Sequence, residues 1–178
     1  MLFQRKKVTA LFVMLCMLVA GAFALSGCGG GGSSQKVLKI GVVGPESGGA
    51  AQLGQGQRKA VQMAVDEINA KKLAGEWKLE VFFEDDEGNP TKSASATNKL
   101  IQQSQVSVII GAIHSSATLA DMVVTARAGL PQLTAGSTGT SITEQGNKWI
   151  FRTAVNDGFQ ANALMKYAKD VLKIKKVA

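Results

Sequence analysis

Val106-Ser107-Val108-Ile109-Ile110-Gly111-Ala112-Ile113-His114-Ser115-Ser116-Ala117-Thr118 is the stretch on which the fold turns. Val106 to Ile110 is an apolar run, as expected of a central parallel strand covered on both faces. Small residues then break the run, and Ser116 to Ala128 reads as a helix. Upstream, Val37 to Val43 (VLKIGVV) is a β-branched strand closed by Gly44-Pro45. A small-residue loop runs from Glu46 to Gly56, and the spacing predicts a helix over 57–71 with Ala60, Val61, Ala64, Val65 and Ile68 on one face. Trp77 to Phe83 reads as a strand, Gly88-Asn89-Pro90 as a turn, and Thr91 to Gln105 as a helix with Ala94, Thr97, Leu100 and Ile101 inward. Downstream come strands at Leu130 to Thr134 and Trp149 to Thr153, a helix at Phe159 to Leu172, and the start of a strand at Lys176-Val177-Ala178.

Strands alternating with helices predict an α/β fold, a doubly wound parallel sheet with right-handed crossovers. Ligands of such sheets bind where strand ends lead into helices, here 44–56, 84–91, 111–118 and 134–141. The final strand has no loop or partner after it, so either the natural product is expected to be longer or this chain is a fragment.

Two of those loops carry candidate binding residues. In the first, Ser115 or Ser116 suits the N-cap of the following helix. Capping alone explains one serine. Two serines and a threonine around unpaired N–H groups also make an anion site, of a size and charge for a carboxylate. In the second, Thr134-Ala135-Gly136-Ser137-Thr138-Gly139-Thr140-Ser141, small residues let a ligand approach the backbone. Carbonyls and hydroxyls there can accept from an ammonium. An ordinary turn has the same composition, but the two loops leave neighbouring strand ends.

Other clusters point away from chemistry. Glu84-Asp85-Asp86-Glu87 lacks the alternating acids of an EF-hand and is expected to be a solvated turn, with Asp85 or Asp86 bonding the loop backbone. His114 is the sole histidine, too few ligands for zinc. No G-x-S-x-G elbow, phosphate-binding lysine loop or G-x-G-x-x-G is present, so neither an enzyme activity nor a cofactor is expected.

The N-terminus sets location. Arg5, Lys6 and Lys7 precede an apolar run from Val8 to Leu25, then Leu25-Ser26-Gly27-Cys28. A basic region, an apolar region and small residues before a cleavage point make a secretory signal. This one resembles the lipobox of bacterial lipoproteins, which implies a signal peptide over 1–27 and lipidation of Cys28. A lone transmembrane anchor of similar length would not end in a lipobox followed by Gly29 to Gly32, Ser33 and Ser34. Residues 28–35 read as a flexible tether. The formal charge of +7 for 178 residues overstates basicity: without Arg5, Lys6 and Lys7 the 20 Lys+Arg become 17, against 13 Asp+Glu, a net +4. No basic patch interleaved with aromatics suggests nucleic acid, and Lys173, Lys175 and Lys176 suit a helix end. With Cys16 in the signal and Cys28 lipidated, the body holds no thiol and no disulfide.

Several segments together resemble the branched-chain amino acid binding proteins of ABC importers, which are type I periplasmic binding proteins. They are Ile40 to Gly48, Ala60 to Lys71 with Asp66-Glu67-Ile68-Asn69-Ala70, Glu84 to Pro90, Val108 to Ser116, Pro131 to Thr138, and Phe151-Arg152-Thr153. The resemblance covers 36–178. It implies two α/β lobes that close on a solute, delivery to a membrane permease, and no chemistry. It assigns 36–153 to the first lobe and 154–178 to the hinge and start of a second lobe that is largely missing. It implies that Ser115 binds a ligand carboxylate, to which the helix-start reading adds Ser116. Gly136 would offer a carbonyl to the ammonium, Thr138, beside Ser137, would meet both charged ends, and Leu53 would cover the ligand. A disulfide that some members carry near Gly88 and His114 is absent here, as is an aromatic often found at the Leu53 position. The expected protein is a lipid-anchored extracytoplasmic solute-binding protein for an amino acid. An extracellular sensing domain on the same fold is the alternative, against which the lipid anchor argues.

Overall fold

Apolar runs of different length, punctuated by glycine and proline, become five parallel strands. They are β1 (Lys36–Gly44), β2 (Trp77–Asp85), β3 (Val108–Ile110), β4 (Gln132–Thr134) and β5 (Ile150–Arg152), in the order β2-β1-β3-β4-β5. The computed structural model describes residues 35–176. The expected signal (1–27), Cys28, the tether through Ser34 and the last two residues of the expected final strand lie outside the described residues. The helices are α1 (Ala51–Ala70), α2 (Pro90–Lys99), α3 (Ser115–Ala128), the short α4 (Ser141–Glu144) and α5 (Asp157–Asp170).

Alternation along β1 explains the layering. Ile40 and Val42 face α1 and pack with Val65 and Leu79. Val43 faces the other way and packs with Ala96 and Leu100, Ile109 of β3, and Ala117 of α3. Both faces of the sheet are therefore covered, as the apolar β3 run required. A third cluster, Met122, Ile142 and Ile150, seats α4 against α3 and β5. The strand order reverses direction between β1 and β3, so the topological switch point lies at their carboxyl ends.

Several boundaries differ from expectation. The helix expected at 57 begins at Ala51 instead, after a 3-10 turn at Gly48–Ala50. Gly54 and Gly56 argue against helix by propensity, but at Gly54 tertiary contact decides. A Cβ there would run into the Pro45 carbonyl, so only glycine lets the helix start lie against the β1 loop. Ala60 and Ala64 are exposed; Val61, Val65 and Ile68 form the inward stripe. α2 ends at Lys99, where Leu100–Ser104 widens into a π-helical turn. Its buried residues are Ser93, Ala96, Thr97 and Leu100, with Ala94 and Ile101 only half-buried. α5 leaves Phe159, Leu164, Met165 and Tyr167 exposed, so its apolar residues find no cover among the described residues.

The two glycines of α1 give opposite tests. Gly54→Ala should lower stability by about 2 kcal/mol, because backbone must move to admit the methyl. Gly56 has open space around it, so Gly56→Ala should raise stability by about 0.5 kcal/mol. Urea denaturation measures both, and changes of the same sign would refute this account of the helix start.

Candidate functional site

The β3 and β4 loops are brought level by register: Ile109 pairs with Gln132 and Ile110 with Leu133. Gly111 N then donates to Leu133 O at 2.8 Å, the last backbone bond before the chains separate. Beyond that point side chains take over. Thr134 Oγ1 donates to Ala112 O at 2.7 Å, and Ser137 Oγ lies 2.9 Å from Ile113 O and 3.2 Å from Ala112 O. Thr118 Oγ1 lies 2.7 Å from Ser137 Oγ, and Ser137 N donates to Thr134 Oγ1. Gly136 sits tightly over Ile113, where a Cβ would lie 3.2 Å from its Cγ2.

α3 starts without a side-chain cap, which corrects the expectation that Ser115 or Ser116 fills that place. His114 is the N-cap residue, its backbone extended (φ −79°, ψ 135°), and its ring makes no cap bond. Ser115 is the first helical residue. Its Oγ accepts from Gly139 N at 3.1 Å across the gap between the loops. That bond leaves the Ser115 O–H free to donate. The first intrahelical bond is Thr118 N to His114 O. The N–H groups of Ser115, Ser116 and Ala117 find no acceptor among the described residues. A helix dipole and open donors favour an anion there.

Ser115 and Thr138 thus belong to adjoining loops, with Ser115 bonded to the residue after Thr138. Thr138 is half-buried. Its carbonyl is occupied by Asp157 N at 2.9 Å and by Arg152, while its hydroxyl makes no hydrogen bond among the described residues. Gly136 is exposed and its carbonyl accepts no bond among them. Ser116 is exposed. Ser137 is only 1% exposed, and its hydroxyl is engaged inside the loops. Leu53, on the first turn of α1 beside the β1 loop, is 59% exposed.

Arg152 went unassigned in the sequence reading. Its Nη1 donates to Gly139 O at 2.7 Å and to Thr138 O at 3.3 Å, and its Nη2 to Thr143 Oγ1 at 2.8 Å. One guanidinium so fixes the far end of the β4 loop to β5 and α4. A charge inside the otherwise apolar Trp149-Ile150-Phe151 run was the signal available for it.

The acid run is solvated as expected at Asp85 and Glu87 but not at Asp86. Asp85 does hold the β1 loop: Oδ1 accepts from Glu46 N at 2.8 Å, Ser47 N at 3.3 Å and Glu87 N at 2.8 Å, and Oδ2 from Ser47 Oγ. Slight burial works against its charge. The Ser47 hydroxyl and those N–H groups outweigh it, and the carboxyl lies below its ordinary value. Asp86, however, is fully buried, accepting from Gly88 N at 2.7 Å and lying 3.2 Å from Ser93 Oγ. Helix α2 could cover it because Asn89 turns the chain immediately, capping Thr91 N and Lys92 N with Pro90 at the first position.

The chain belongs to the periplasmic binding protein family, whose model matches residues 37–178. It is 32% identical over 139 residues to an amino acid binding protein of Pseudomonas aeruginosa, covering 78% of this chain and 37% of that one. A leucine-, isoleucine-, valine-, threonine-, and alanine-binding protein of the same organism is 29% identical over 157 residues, covering 88% and 42%. Among solved structures, a branched-chain amino acid transporter substrate binding protein from Streptococcus pneumoniae, in complex with isoleucine, superposes with a TM-score of 0.70. It is 34% identical over 78% of this chain and 39% of that one. The chain spans about two fifths of the length of these relatives.

Ser137 offers a test of how the loops are held. Ser137→Ala removes the donor to Ile113 O in a buried setting, which should cost about 2 kcal/mol. Chemical denaturation reads this directly, and a loss below a few tenths of a kcal/mol would show that water replaces the hydroxyl.

Proposed function

We propose that the chain is the first lobe of an extracytoplasmic solute-binding protein, lipid-anchored through Cys28, that delivers an amino acid to the permease of an ABC importer. The observation that carries the reading is the Ser115 Oγ to Gly139 N bond, which joins an uncapped helix N-terminus to a loop where the Gly136 carbonyl and Thr138 hydroxyl have no partner among the described residues. A zwitterion needs both within one molecule's length. The Ser115 hydroxyl, Ser116 and the leading N–H groups of α3 take the carboxylate. The Gly136 carbonyl and Thr138 hydroxyl take the ammonium. These are charge-assisted bonds, stronger than neutral ones, and they need no counter-ion from this lobe. Ser137 is assigned a positioning role, because its hydroxyl is engaged within the loops. Leu53 covers the bound molecule from α1.

The isoleucine complex of one relative supports a branched-chain ligand. Its length, like that of the other relatives, supports a second lobe that closes over the strand tips. Closure is stabilised only by the ligand's differential affinity for the closed state. The lobe carries the ligand and does no chemistry on it.

In the gene product as the cell makes it, Ser115→Ala combined with Thr138→Ala should weaken isoleucine binding more than tenfold by titration calorimetry. Unchanged affinity would reject this site. Cys28→Ser should move the protein from the membrane fraction to the soluble fraction, and continued membrane retention would reject the lipid anchor.

A further inference from the structure

Between α2 and α3, two fully buried carboxyl groups face one hydroxyl. Ser93 Oγ lies 2.9 Å from Asp121 Oδ2 and 3.2 Å from Asp86 Oδ2. Both acids, Ser93 and the neighbouring Thr97 are 0% exposed. A serine hydroxyl has one proton to donate, so it cannot satisfy two carboxylates at once. With both acids ionised, one short contact would set two oxygens against each other with no hydrogen between them. Asp121 Oδ1 and Thr97 Oγ1 also lack a partner, and no other His, Cys, Asp or Glu completes a metal site among the described residues.

We infer that Asp86 and Asp121 hold one proton between them, the Asp121 carboxyl donating to Ser93 Oγ and Ser93 donating to Asp86, so that the pairing of α2 with α3 is fastened by acid and loosened toward alkaline pH. Asp86 is the better anion, because Gly88 N donates to it and the His114 ring stands near. Asp121 has only hydroxyls around it. The other charges nearby do not neutralise the pair. Asp85 bonds the β1 loop, while Lys92 and Lys99 on α2 are exposed and engaged by Glu87 and Glu84. Arg127 lies exposed on the last turn of α3.

Burial pushes the Asp121 carboxyl up to about 7, against the Ser93 hydroxyl and with help from Asp86. Burial raises Asp86 as well. A folded-state value above the unfolded one means the native state holds the proton more tightly. The stabilisation is present in full below pH 3.8, erodes as the pH rises, and is gone above about 7. Asp85, shifted the other way, contributes above 3.8 and loses its contribution only in stronger acid. The inference is independent of what the strand-tip loops bind.

Thermal denaturation of the gene product between pH 4 and pH 8, alongside Asp121→Asn, tests it. The unsubstituted protein should lose about 5 °C in Tm across this range and level off above neutrality. Asp121→Asn, which carries a permanent donor, should lose clearly less, with Asp86 alone left to titrate, and be at least as stable at pH 8. Parallel profiles for the two proteins would overturn the inference. If the variant fails to fold, carbon-13 titration of the aspartate carboxyls in the unsubstituted protein decides. One carboxyl titrating near neutrality supports the shared proton, and all of them titrating below about pH 5 overturns it.

Discussion

Two carbonyls, Ala112 and Ile113, set the terms for everything at the strand tips. They lie past the last ladder bond, Ala112 buried and Ile113 half-buried, and an unpaired buried acceptor costs about 1–3 kcal/mol. Thr134 and Ser137, from the next loop, supply the hydrogens, and Thr118 closes the group from α3. The β3 and β4 loops are in effect one polar unit. Ser115 and Gly139, the residue after Thr138, are held in contact because this unit ties the two loops together. Gln132 extends it below the tips: Nε2 donates to Gly111 O at 3.0 Å and Oε1 accepts from Thr125 Oγ1 at 3.0 Å, so a polar strand residue is buried without loss.

The architecture was legible because it is written in runs. Val37 to Val43, Trp77 to Phe83 and Val106 to Ile110 announce strands by composition, and the alternation with helices leaves only a parallel sheet. The centrality of β3 follows from its apolar character. Features that depend on partners distant in sequence were not legible. Gly54 reads as a helix breaker until Pro45 is seen against it. Ser115-Ser116 reads as a cap until His114 takes the extended backbone that precedes a helix. Glu84-Asp85-Asp86-Glu87 reads as four solvated acids, whereas alternate sides of the turn face a loop backbone and the core. Asp86 is buried because Ser93 and Asp121 arrive on two helices, and no local pattern announces such a meeting. The two loops, unlike the cap, could be placed at neighbouring strand tips because the strand-end rule concerns topology, which the runs determine.

A half-site made of dipoles suits reversible capture. A buried counter-charge would hold a zwitterion strongly, but on release it would stand uncompensated in a poorly solvated place. Under the proposed function, hydroxyls, carbonyls and helix N–H groups at an open strand end would meet water without a ligand and carboxylate or ammonium with one.

Such a site works only as well as its dipole is aimed. α3 is therefore constrained along its length. At its first residue Ser115 is bonded to Gly139; one turn on, Thr118 is bonded into the loop unit; at mid-helix Asp121 meets Ser93 of α2; and near the end Thr125 meets Gln132. Each contact is a hydrogen bond from a short side chain, so each tolerates little displacement. An apolar seam alone would let the helix slide by fractions of an ångström, and over bonds near 3 Å that is enough to break them. The polar interior of this lobe is best understood as the means by which a helix N-terminus is kept pointing at one place.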